Sequence, residues 1–176
     1  MKHEGGMHMG GGHMGGGHGM RGHHGGEHDE VNMPGLRGLD ATPEESAELA
    51  HMFRNFELID REVTNLPGGI RTVTRSDDAE VMATLVSHVS GMIARIDEGR
   101  DPKVFIQSPT LDILFERHAS IETGIEVTDE GIVVTQTSGD PEIVEALQTH
   151  AGEVTAMADR GMAAVHEMMM QRASRQ

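Results

Sequence analysis

The sequence predicts an α+β domain in which one αββα unit occurs twice, preceded by a disordered tail. Three observations carry that expectation. The chain repeats itself without a gap at an offset of 62 residues: Phe53 falls on Phe115, Ile59 on Ile121, and Gly69-Ile70 on Gly131-Ile132. The register then brings Ser76, Asp78, Glu80, Leu85 and His88 onto Ser138, Asp140, Glu142, Leu147 and His150, and Asp97 and Gly99 onto Asp159 and Gly161. Within each copy the apolar pattern runs helix, strand, strand, helix. Residues 1–30, finally, are mostly Gly, His and Met with no aliphatic or aromatic side chain, so they have nothing to bury against the entropy of ordering. The expected layout is a tail over 1–39 and a domain over 40–176, with copies at about 43–99 and 109–172. Two such copies most simply form a pseudo-twofold, four-stranded antiparallel sheet with helices mainly on one face.

Each element has its own signal. Helices are expected over about Pro43–Asp60 and Pro109–Ile121. Hairpins turn at Pro67-Gly68-Gly69 and at Asp129-Glu130-Gly131, and their second strands, Ile70–Arg75 and Ile132–Thr137, are rich in β-branched residues. Helix-start signatures follow at Ser76–Glu80 and Ser138–Glu142, with acids in the first turn and Pro141 suited to the first helical position. Long helices then run over about Asp78–Glu98 and Asp140–Arg172, the second bent near Gly152 or Gly161. Met82, Leu85, Val89, Met92, Ile93 and Ile96 form one apolar stripe, and Val144, Leu147, Ala151, Val154 and Ala158 the other. The second sheet face, rich in Thr and Arg, is expected to be wet or to meet a partner chain.

Composition removes several functions. The net charge of −15 opposes nucleic acid and anionic lipid, both of which need a basic face. Cysteine is absent, which excludes disulfides and thiolate metal sites. No apolar run is long enough to span a membrane, and no basic-then-apolar leader opens the chain, so the sequence as written reads as cytoplasmic. It would be extracytoplasmic if Met1 followed a removed export signal. No nucleophile elbow, phosphate-binding glycine loop or haem-attachment motif occurs, and the chain reads as a non-enzyme.

The tail carries the chemistry. His3, His8, His13, His18, His23 and His28 form a five-residue ladder, with His24 beside it and Met7, Met9, Met14 and Met20 between the rungs. Imidazole and thioether are soft or borderline ligands: histidine alone suits Ni(II), Zn(II) or Cu(II), and methionine shifts the set toward Cu(I). The Met1 amine, the next two backbone amides and the His3 imidazole also make a square-planar set for Cu(II) or Ni(II). The competing reading is a solubilising low-complexity segment. In the domain, His88 and His150 sit at equivalent positions, with Met92 one turn and Met157 two turns further along. They form a candidate second site, for a metal or a haem, or are simply hydrogen-bonded structural histidines. Met162, His166 and Met170 share one side of the last helix as a candidate satellite patch. His51-Met52 and His118 read as ordinary helix residues, and Asp77, Asp78 and Asp140 as helix-start acids.

Through Asn65-Leu66-Pro67 to Ser76-Asp77-Asp78, and through Val134 to Ser138, the stretch from Met52 to about Met168 resembles small prokaryotic proteins with His/Met-rich ends. That resemblance implies no activity. The tail is similar to the His-rich extensions of copper- and nickel-handling proteins. Together these readings lead to a protein that sequesters, buffers or delivers copper, with nickel or zinc as the alternative metals. An acceptor metalloprotein or a second copy would be its partner. A haem- or small-ligand-binding redox module is the alternative from another class.

Overall fold

Residues 34–176 are described by the structure, a computed structural model. Packed structure is already present ahead of Asp40, where the composition changes. Pro34–Leu36 forms a 3₁₀ turn, Leu36 is buried, and Gly38 bridges to Val104. The fold therefore reaches back past the boundary expected at residue 40, because Leu36 supplies an apolar anchor that the Gly-rich segment lacks.

Thr42 starts the first helix, α1 (Pro43–Arg54), through a reciprocal capping box. Its hydroxyl accepts from Glu45 N at 3.2 Å, and Glu45 Oε2 accepts from Thr42 N at 2.8 Å. The helix ends at Arg54, short of Asp60, and the chain continues as a 3₁₀ turn, Phe56–Leu58. The second copy does the same: α3 (Pro109–Glu116) gives way to a 3₁₀ turn at His118–Ser120 instead of running to Ile121. Asn55 and Arg117 leave helical geometry (φ −117° and −110°), and the tighter turn then aims the chain into the strand.

The hairpins are β1 (Asp60–Leu66) with β2 (Gly69–Arg75) and β3 (Glu122–Thr128) with β4 (Gly131–Thr137). They join through their second strands into one antiparallel sheet of order β1-β2-β4-β3. In the central ladder Thr72 pairs with Val134. These two residues are one repeat apart, so the pseudo-dyad expected from the duplication passes through this pair. Helices cover the face that holds Ile70, Thr72, Thr74, Ile132, Val134 and Gln136, all of them buried.

The long helices start as anticipated. Asp78 accepts from Glu80 N and Val81 N at 3.0 Å to open α2 (Ala79–Glu98). Asp140 accepts from Glu142 N at 3.0 Å to open α4 (Pro141–Arg160). The last helix is broken at Gly161 and not at Gly152, and α5 (Met162–Ala173) follows. Both copies end their long helix on a left-handed glycine, Gly99 (φ 65°) and Gly161 (φ 58°). A Cβ at Gly99 would stand 2.5 Å from the His118 ring, and one at Gly161 2.8 Å from the Phe56 ring. Each helix end thus rests on the 3₁₀ turn of the other copy, at equivalent positions.

The two copies do not pack equally. Ile143, Ala146, Leu147 and Ala151 of α4 join Ile70 and Leu114 in one closed cluster. Gln148 Nε2 ties α4 to the first hairpin by donating to Leu66 O (3.0 Å) and Gly69 O (3.2 Å). At the equivalent position α2 carries Val86, which has no amide to donate. Val89, Met92 and Ile93 of α2 remain half-buried. The space that α2 leaves open is where the chemistry-bearing side chains collect.

Candidate functional site

Between α2, α4 and the sheet lies a cavity of about 300 Å³. Its walls are mainly aliphatic and thioether groups, among them Val89, Met92, Ile93, Leu111, Val154 and Met157. His88 and His150 both line it, and Met92 and Met157 share it. The four residues of the candidate second site therefore line one space. Each is placed by its helix: the stripe facing the sheet is apolar, and the two histidines stand at equivalent points along it.

Both imidazoles have a buried Nδ1 without a hydrogen-bond partner. His88 Nδ1 is 3.8 Å from Glu48 Oε2, and His150 Nδ1 is 3.5 Å from Glu153 Oε2, too long for a well-formed bond. Burial pushes His88 down to about 4, only partly opposed by the Glu45 charge, so the ring is neutral at pH 7. Burial alone would raise Glu153. The nearby His150 imidazole and the hydroxyls of Ser108 (2.8 Å) and Thr110 (3.4 Å) outweigh it and hold that carboxyl below its ordinary range. The result is a mainly apolar space edged by two imidazoles, a chemistry open to a soft metal or to a polar group of a ligand.

Arg61 also lines the cavity, from β1. Its Nη1 donates to Thr74 Oγ1 at 2.8 Å, while its Nε is buried without a partner. The strand pattern alone does not mark it: Arg61 and Val63 share the inward face, and only the missing partner sets Arg61 apart.

The remaining candidates lie elsewhere. Met162 is half-buried, His166 is exposed and Met170 is 73% exposed on α5, away from the cavity, whereas Met168 of the same helix lines it. Met52 lines the cavity too, and His118 packs on Gly99. Among the described residues no group of three or more His, Cys, Asp or Glu is placed to hold a metal ion. The tail ligands Met1, His3, Met7, His8, Met9, His13, Met14, His18, Met20, His23, His24 and His28 lie outside the described residues. Among the described residues no helix is long and apolar enough to cross a membrane. No protein-family model matches this chain, and neither does any curated protein or solved structure.

Proposed function

We propose that this chain is a non-enzymatic metal-binding protein whose Gly/His/Met-rich tail captures copper for sequestration, buffering or delivery. One observation carries the reading: the unbroken histidine ladder from His3 to His28 with Met7, Met9, Met14 and Met20 threaded through it. Such a set offers many similar, exchangeable positions for Cu(I), and Met1 with His3 offers one for Cu(II). The acidic surface raises the local cation concentration around it. The outer sheet face is left for an acceptor metalloprotein or a second copy. Replacing the four threaded methionines by leucine tests the choice of metal. Under the copper reading Cu(I) affinity falls; unchanged Cu(I) affinity with intact nickel or zinc binding would move the protein to those metals.

A second reading is supported by the cavity. His88, His150, Met92 and Met157 share one mainly apolar space, which suits a ligand-binding module that uses the duplicated domain, with haem or a smaller molecule as occupant. A visible spectrum of the protein mixed with haemin separates the two occupants. A Soret shift lost in a His88→Ala/His150→Ala variant would favour haem, and an unchanged haemin spectrum would leave only the smaller molecule.

A further inference from the structure

Among the described residues, Arg61 is the only charged one on the helix-facing side of the sheet, by the strand register. Burial draws its guanidinium down to about 10, which leaves it protonated at neutral pH. Among the described residues no carboxylate pairs with it, and its Nε–H has no acceptor. A partly buried charge without a counter-ion is costly to the fold. Arg95, a buried arginine of copy one, shows the normal arrangement. It donates to both Glu45 oxygens (2.6 and 2.8 Å), to Asp40 Oδ2 (2.9 Å) and O (2.7 Å), and to Arg100 O (3.1 Å).

The duplication shows that the fold does not need the Arg61 charge. Arg61 and Thr74 are cross-strand partners, and their equivalents in copy two are Thr123 and Gln136. There Gln136 Nε2 donates to Thr123 Oγ1 at 3.4 Å, so the same bridge is made by a neutral amide. The charge belongs to copy one alone, where it faces the cavity. The other charges in the lining are Glu153, engaged by Ser108 and Thr110, and Arg172, which donates to Gln107 O at 3.1 Å. The walls thus hold one cation in excess.

We propose that the cavity binds a small aliphatic carboxylate, its anionic head at the Arg61 guanidinium and its hydrocarbon chain among Val89, Met92, Ile93 and Leu111. A carboxylate suits a guanidinium whose Nη1 already donates to Thr74 and that has no acid of its own. A volume of about 300 Å³ is at the lower end for small-molecule sites and suits a single chain better than a tetrapyrrole. The proposal rests on the cavity reading above and is independent of the tail.

Calorimetric titration of the full chain with decanoate and with decanol, in the presence of a chelator, tests it. The expected result is decanoate binding about tenfold tighter than decanol, the scale of one charge-assisted interaction. Arg61→Gln, which puts a neutral amide in place of the guanidinium, should abolish that preference while keeping decanol binding, and Arg61→Lys should retain it. Arg61→Gln should also raise the melting temperature of the ligand-free protein, whereas a purely structural arginine would lower it. Equal decanoate affinity in wild type and Arg61→Gln would overturn the anion assignment and leave the cavity reading standing. Binding of haemin or Cu(I) at His88 and His150 without any carboxylate binding would do the same. Failure of every one of these ligands to bind would overturn both.

Discussion

His88 gives the protein its clearest residue-scale pH dependence. Its imidazole has an unfolded value of 6.5 and is held down to about 4 in the fold, chiefly by burial. Between those values the unfolded chain takes up a proton that the native chain refuses, so stability falls as pH drops from 6.5 toward 4 and levels off below. The whole effect is at most about 3 kcal/mol, because 15% of the side chain stays open. His88→Gln should flatten the melting-temperature profile between pH 6.5 and 4.5; profiles of equal slope would contradict the burial assigned to this ring. Glu45 acts lower on the scale. Hydrogen bonds from Arg95 depress its carboxyl below 4.5, so its contribution is present above that pH and is lost as pH falls through the depressed value. The equivalent placement of His88 and His150 was legible because duplication copies positions. Arg61 was not, since what marks it is a missing partner, and a missing partner is visible only once its neighbours are placed.

At the level of elements, the glycines of the last helical segment separate two effects that look alike in sequence. Gly152 lies inside α4, exposed, and a Cβ there meets nothing within 4 Å. Gly161 combines φ 58° and ψ −138° with the Phe56 ring 2.8 Å from an added Cβ. Gly152→Ala should therefore stabilise the protein by roughly 0.5–1 kcal/mol through helix propensity. Gly161→Ala should destabilise it by about 2–3 kcal/mol through backbone strain and displacement of the ring. Chemical denaturation of the two variants checks both signs, and a shared sign would refute the assigned break. Caps and hairpins were readable because each depends on a few adjacent residues, such as Asp78 with Glu80 or Gly131 after Asp129-Glu130. The break at Gly161 was ambiguous because Phe56, more than a hundred positions away, decides it. The early ends of α1 and α3 were missed for a related reason: the apolar spacing through Phe56 and Ile59 fits a 3₁₀ turn as well as an α-helix.

For the whole molecule, the account divides the chain into a collector and a platform. The described domain satisfies its own core, from Leu36 against the body of the fold to Val165 on α5. Removal of residues 1–30 should accordingly leave its melting temperature within about 2 °C, as measured without added metal. A larger fall would show the tail to be part of the fold. The pseudo-twofold, four-stranded antiparallel sheet followed from the repeat, but the joining of β2 to β4 at Thr72 and Val134 did not. The cavity did not, because it depends on how closely each long helix approaches the sheet, and Gln148 against Val86 makes that approach unequal. Capture by the tail requires neutral imidazoles, so occupancy should be high at pH 7.5 and fall as pH drops through about 6.5. The most direct test is elemental analysis of the full chain and of the chain without residues 1–30 after exposure to mixed copper, nickel and zinc. The account predicts that copper dominates on the full chain and that nearly all bound metal disappears with the tail. Equal copper per molecule in both proteins would contradict it.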